Sequence, residues 1–160
     1  MHYGVVGPDN RLQHYVPIPL PGPRLPHDMA FTENYSILND LPVFWDEEML
    51  KQNVHAVRWH KGMPSRFAII PRYGSPDEIR WFEAEPTYVL HWLNACEEGD
   101  EIVLDGYFQE QPVPGNYDGA PPGYERMMAY LDQELLMPRL HRWRFNLRTC
   151  LLYTSDAADE

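Results

Sequence analysis

Cysteine, basic charge and long apolar runs are all scarce in this 160-residue chain, and each shortage excludes something. Two cysteines, Cys96 and Cys150, cannot build a disulfide framework, so a reducing compartment is expected and the cytoplasm is the expected location. Thirteen Lys and Arg face 24 Asp and Glu, and a formal charge of −11 argues against a nucleic-acid partner gripped through its phosphates. The longest unbroken apolar run, Met127–Leu131, falls far short of the roughly 20 residues a spanning helix needs, so no transmembrane segment is expected. The opening Met1-His2-Tyr3-Gly4 lacks the basic and apolar stretches of a secretory signal. Local catalytic signatures are missing too. None of the seven histidines sits in H-E-x-x-H or H-x-H or has a cysteine partner, and neither G-x-S-x-G nor a Gly-rich phosphate loop occurs.

Proline, by contrast, is plentiful. Sixteen prolines are about twice the usual share of roughly 5% and argue against a helical bundle. They and the glycines cut the chain into short β-prone pieces. His14–Ile18 carries Pro17 and reads as an edge strand or strand end. Met29–Thr32 and Tyr35–Leu38 read as two strands joined by Glu33-Asn34. Arg66–Ile70, Ile79–Glu83, Tyr88–Asn94, Glu101–Asp105 and Arg139–Leu147 follow as further strands. Asp46–Lys51 has acids in a first turn and predicts a short helix capped by Asp46. Tyr124–Met137 has apolar residues near 3.6-residue spacing and predicts a second helix, preceded by a surface loop over Val113–Gly123. The expected class is therefore mainly β, with one or two short helices: a sandwich, barrel or propeller.

The residues themselves leave the chemistry open. His91 reads as mid-strand among bulky apolar neighbours, where a backbone hydrogen bond is the ordinary way to satisfy the ring and a metal is the other. His27, fixed at its entry by Pro26, stands out for its neighbours Asp28 and Met29-Ala30-Phe31. Glu97–Glu101 reads as a solvated turn. Cys96 has no adjacent base and reads as a small buried thiol. Arg139, Arg142, Arg144 and Arg148 read as the ion-paired solvent face of a strand. Trp45, Trp92 and Phe108 are candidates for a cavity wall, although buried aromatics are ordinarily core.

Three segments taken together carry a resemblance. Pro26-His27-Asp28-Met29-Ala30-Phe31-Thr32-Glu33-Asn34-Tyr35 resembles the H-D-aromatic-x-T-x-N-Y segment of the carotenoid oxygenases, the family of carotenoid cleavage and lignostilbene dioxygenases. His91-Trp92-Leu93-Asn94-Ala95-Cys96-Glu97-Glu98-Gly99-Asp100, followed by Ile102–Asp105, resembles that family's H-x-x-N-A-Y/F-E-x-G-D segment. Arg66-Phe67 through Pro71-Arg72 resembles the strand between them. The two histidines stand 64 residues apart, which also suits the family, and the resemblance runs from about Tyr3 to Thr149. Cys96 departs from it, since an aromatic residue is usual there.

The resemblance implies about two to three blades of a seven-bladed β-propeller, with Fe(II) held by four histidines near the axis. Carried over residue by residue, His27 and His91 correspond to the second and third iron ligands. The implied reaction is oxidative cleavage of a conjugated carbon–carbon double bond by dioxygen, giving two carbonyl products from an apolar apocarotenoid or stilbene-type substrate. It leaves room for peripheral membrane contact of the full-length enzyme. With half the ligand set present, the chain itself is expected to be an inactive fragment. The alternative is a propeller module that binds or scaffolds without a metal. Residues 1–149 are read as the propeller segment. Residues 150–160 (Cys150-Leu151-Leu152-Tyr153-Thr154-Ser155-Asp156-Ala157-Ala158-Asp159-Glu160) resemble the translation of a transposon-based sequencing-library adapter, and are read as a non-native tail.

Overall fold

Runs that alternate in polarity and runs that are apolar throughout both become strands, and the contrast between them locates the core. The computed structural model describes residues 1–53, 57–113 and 137–156. In chain order the strands are β1 (His2–Val6), β2 (Leu12–Pro17), β3 (Ala30–Phe31), β4 (Tyr35–Asp40), β5 (Val43–Trp45), β6 (Val57–Trp59), β7 (Ser65–Pro71) and β8 (Arg80–Ala84). They continue with β9 (Trp92–Glu98), β10 (Glu101–Phe108), β11 (Arg139–Asn146) and β12 (Leu152–Asp156). The single α-helix among the described residues, α1 (Glu47–Lys51), lies between β5 and β6, a short 3-10 helix covers Pro76–Glu78, and Asp46 caps α1 by accepting from the amides of Glu48 and Met49, as its sequence predicts.

All pairings are antiparallel. β3-β4-β7-β8 form one four-stranded sheet and β9-β10-β11-β12 a second, each in chain order, while β1-β2 and β5-β6 are separate pairs. Successive four-stranded up-and-down sheets are the blade units of a propeller. Two blades and two further strand pairs agree with the expected architecture.

β7 shows how sequence sets the packing. Its side chains alternate across the sheet. Phe67 and Ile69 join Ile37, Phe82, Ile102, Leu104, Trp143 and Phe145 in the core between the two large sheets. Ala68 and Ile70 point the other way, onto Tyr3, Ile18 and Leu38. A strand covered on both faces has no polar side, which is why Phe67–Ile70 reads as an unbroken apolar run. Each large side chain so buried contributes about 1.5–3 kcal/mol. At the end of β4, the buried Asp40 carboxylate takes Arg24 Nε at 2.5 Å and Arg66 Nε at 2.9 Å. The pair of arginines ties the proline-rich connector before β3 to β7. The Arg142–Asp105, Arg144–Glu98 and Arg148–Asp100 pairs meet the expectation of an ion-paired strand face.

Several expectations need correction. The strand expected over Tyr88–Asn94 starts only at Trp92. Tyr88 and Val89 are buried outside any ladder, because side chains serve their neighbourhood instead. Thr87 exchanges hydrogen bonds with Ser65 and Gln109, and the Tyr88 hydroxyl donates to the Leu25 carbonyl. Glu97 and Glu98 belong to β9, and the turn is confined to Gly99-Asp100, where Gly99 adopts φ 61. β1, β5 and β6 were not anticipated. The second helix and all but the first residue of the loop before it, apart from Met137 at the helix end, lie outside the described residues, as does His55. Within the terminal segment, Leu152–Asp156 pairs with β11. Any β-prone segment can add to an open edge, so the pairing describes its conformation and not its origin.

Candidate metal centre

Each candidate ligand stands just ahead of the first strand of its blade: His27 before β3, His91 before β9. β3 and β9 are the neighbouring edges of the two large sheets, and the two rings meet there, with centroids 5.1 Å apart and planes at 81°. Sequence separation of 64 residues has become direct contact. An edge-to-face pair of aromatic rings commonly shows such spacing. What makes the pair informative is the state of its nitrogens.

His27 Nδ1 lies 3.0 Å from the Leu90 carbonyl oxygen. A carbonyl only accepts, so Nδ1 carries the proton and Nε2 holds the free lone pair, the form in which an imidazole ligates a metal. Both rings are exposed. His91 is therefore not a ring buried mid-strand, as its apolar neighbours suggested. It precedes the strand and is 72% exposed at its side chain. Its anchor is the next residue. Trp92 packs edge-on against Phe67 (5.9 Å) and Trp143 (5.5 Å), which makes it core and not cavity wall.

Two carboxylates that the local reading passed over dock the segments together. Asp28 accepts from the Met29 amide at 2.8 Å and from the Trp92 amide at 3.1 Å, and its Oδ2 lies 3.8 Å from His91 Nδ1. Glu97 reaches across to the β3–β4 turn. It accepts from the Thr32 hydroxyl (2.5 Å), the Asn34 amide (2.8 Å) and Asn34 Nδ2 (3.0 Å). The hydrogen bonds from the Asn34 and Thr32 side chains hold its carboxyl below the ordinary 4.5, against the upward push of burial. The solvated-turn reading is thus wrong for Glu97. The signal was present in the motifs themselves, since Asp28 adjoins one histidine and Glu97 lies in the segment of the other.

The other described histidines are engaged elsewhere. His2 stacks on Tyr15, His14 bonds the Gly74 carbonyl, His60 stacks on Phe44, and His141 packs against Trp143. Among the described residues, no three His, Cys, Asp or Glu side chains form a metal-binding group. The pair fits two positions of an imidazole-ligated ion and leaves the remainder to other residues. Beside His27 opens a cleft of about 430 Å³ bordered by Tyr3, Asp28, Met29, Leu38 and Asn39. No helix among the described residues is long and apolar enough to cross a membrane.

Comparison with known proteins follows the same lines. The family profile described as retinal pigment epithelial membrane protein matches residues 1–154. The carotenoid 9,10(9',10')-cleavage dioxygenase of Crocus sativus is 36% identical over 149 residues, covering 92% of this chain and 26% of that protein. The isoeugenol monooxygenase of Pseudomonas putida is 30% identical over 149 residues, covering 93% of this chain and 30% of that protein. The crystal structure of lignostilbene dioxygenase from Pseudomonas brassicacearum superimposes with a TM-score of 0.75 at 27% identity, covering 97% of this chain and 32% of that one. The chain thus spans about a quarter to a third of the length of the relatives it matches.

Proposed function

Because this chain belongs to the carotenoid oxygenase family, whose blades it reproduces, we propose that it is a segment of a non-haem Fe(II) dioxygenase cleaving a conjugated carbon–carbon double bond. The substrate is apolar, an apocarotenoid or a stilbene-type compound, and the products are two carbonyl compounds. One observation carries this reading: His27 and His91 come together at the meeting edges of two blades, with the His27 Nδ1 proton committed to the Leu90 carbonyl.

His27 and His91 would supply two of four imidazoles. Ferrous iron, when bound, supplies the redox-active centre that dioxygen chemistry requires. The chain's own part is to hold two neutral rings side by side. The Leu90 carbonyl orients the first ring, and Trp92, wedged in the aromatic core, fixes the backbone of the second. Neither ring has to be buried for this, so the remaining ligands can approach from the open side. Residues 1–149 form the native segment and residues 150–160 a non-native tail, and the chain alone is inactive. The free thiol of Cys96, the single cysteine of residues 1–149, supports a cytoplasmic setting.

The test begins with the DNA flanking this reading frame, which should supply the two further histidine motifs and replace the tail. The complete protein, expressed anaerobically with Fe(II), should hold stoichiometric iron and cleave an apocarotenoid or stilbene in the presence of dioxygen. His27→Ala and His91→Ala should each abolish both. Iron and turnover unchanged in both variants would remove the two rings from the metal site, and a complete parent without iron or cleavage would leave only a metal-free module. Tight iron with turnover in the 160-residue chain would overturn the segment reading.

A further inference from the structure

One carboxylate, Asp40, serves two cations. Its Oδ1 accepts from Arg24 Nε at 2.5 Å, and its Oδ2 accepts from Nε and Nη2 of Arg66. The side chains of Asp40 and Arg24 are only 3% and 7% exposed, and that of Arg66 is 29% exposed. A carboxylate neutralises one guanidinium, so the cluster keeps one positive charge in excess. Charge left uncompensated with so little water around it is costly. Asp46 does not supply the missing anion, because Arg58 pairs with it. The positive field is felt nearby: burial, and then the Arg24 and Arg58 charges, push the pKa of His60 below the ordinary 6.5.

The two guanidinium planes are fixed. Arg24 lies over the Phe44 ring at 4.3 Å and Arg66 over the Trp81 ring at 4.7 Å, so only their edges remain for hydrogen bonding. Part of each edge is spent on Asp40. On Arg24, Nη1 reaches the Pro23 carbonyl at a long 3.4 Å, and Nη2 bonds no described residue. On Arg66, Nη1 bonds none either. Both arginines border a cleft of about 220 Å³ with Pro21, Leu41, Pro42 and Met63. Apart from Asp40 and the arginines, every side chain on that cleft is apolar.

We propose that this cleft binds a small monocarboxylate with an apolar body. Its carboxylate would take the unused edges of Arg24 and Arg66, and its hydrocarbon would lie against the prolines, Leu41 and Met63. A carboxylate matches the planar fork of a guanidinium, and a single negative charge brings the cluster to neutrality. The apolar walls offer nothing to the remaining oxygens of an inorganic oxyanion, which favours a hydrocarbon body over phosphate. The site does not rest on the iron reading, since none of its residues is a candidate ligand.

Benzoate is the probe, titrated calorimetrically into the complete protein at fixed ionic strength, with inorganic phosphate in parallel. One saturable benzoate site is expected, with the same affinity before and after chelation of the metal. Absence of saturable benzoate binding, tighter binding of phosphate, or binding only with iron present would overturn the proposal. Arg24→Gln removes the excess charge and should weaken benzoate binding at least about 10-fold. Met63 is 37% exposed, so replacing it probes the charge with little risk to folding. Met63→Glu places a carboxylate of the chain's own at the cleft and should abolish benzoate binding, while Met63→Gln should retain it. Equal benzoate affinity in these two variants would overturn the proposal, whether or not Arg24→Gln folds. A complete protein without iron would end the dioxygenase reading and leave these titrations unaffected.

Discussion

The Nδ1 of His27 donates to the carbonyl oxygen of Leu90, the residue immediately before His91, at 3.0 Å. The segment that leads into one blade is thereby fastened to the segment that leads into the next. The second ring is delivered beside the first by backbone, with no ligand required.

Both rings are exposed, so removing either leaves no buried hole. His27→Ala and His91→Ala are expected to change unfolding free energy by no more than about 1 kcal/mol. Metal content, measured on the same samples, should collapse. A large loss of stability in either variant would mean that the ring is structural.

Glu97 is expected to matter for stability as a charged acceptor of three hydrogen bonds. Glu97→Gln should cost about 1–3 kcal/mol at neutral pH, read by urea unfolding. The pH dependence has a definite sign. Its folded carboxyl lies below the ordinary 4.5, so its contribution is complete above that value and is lost as pH falls through the folded one. The stability curves of the parent and Glu97→Gln should therefore converge in acid. Some acid sensitivity should remain in the variant, because the Ser75 amide and hydroxyl hold Glu78 down in the same way.

Gly106 stands opposite Trp92 across the β9–β10 pair, at a register shift. A methyl group there would meet the indole at 2.7 Å, and Trp92 cannot yield because Phe67 and Trp143 back it. Gly106→Ala is expected to cost about 1–3 kcal/mol. It should also weaken Fe(II) binding, since Trp92 adjoins His91. Unchanged metal affinity with reduced stability would show that the indole does not set the ring.

Asp40 is buried with Arg24, while Arg148 and Asp100 form an exposed pair. Asp40→Ala strands buried guanidinium charge and should cost about 3–5 kcal/mol. Arg148→Ala should cost about 0–1 kcal/mol. Comparable losses in thermal unfolding would contradict the assigned burial.

Much of the fold was legible because its signals are local. Phe67–Ile70 is apolar on both faces, Asp46 is a capping residue before acids, and Glu33-Asn34 interrupts two β-prone runs. What escaped depends on partners far along the chain. Glu97 looks like one acid in a polar turn until Thr32 and Asn34 are placed beside it. Tyr88 and Val89 look like strand because burial, not pairing, selected them. His91 was misplaced for the same reason. Its apolar neighbours are core, but the ring itself faces outward, and alternation cannot be read across residues that leave a ladder. The candidate ligands came from motif resemblance, and their contact came only with the folded chain.

The link between His27 and Leu90 has a thermodynamic consequence. It closes a loop of 63 residues, and joining the ends of a flexible chain that long costs on the order of 4 kcal/mol of configurational entropy. Here that cost is met during folding, by the core between the blades. An arriving ion would meet two rings already side by side, so its affinity would reflect coordination chemistry alone and would not be diminished by gathering distant segments.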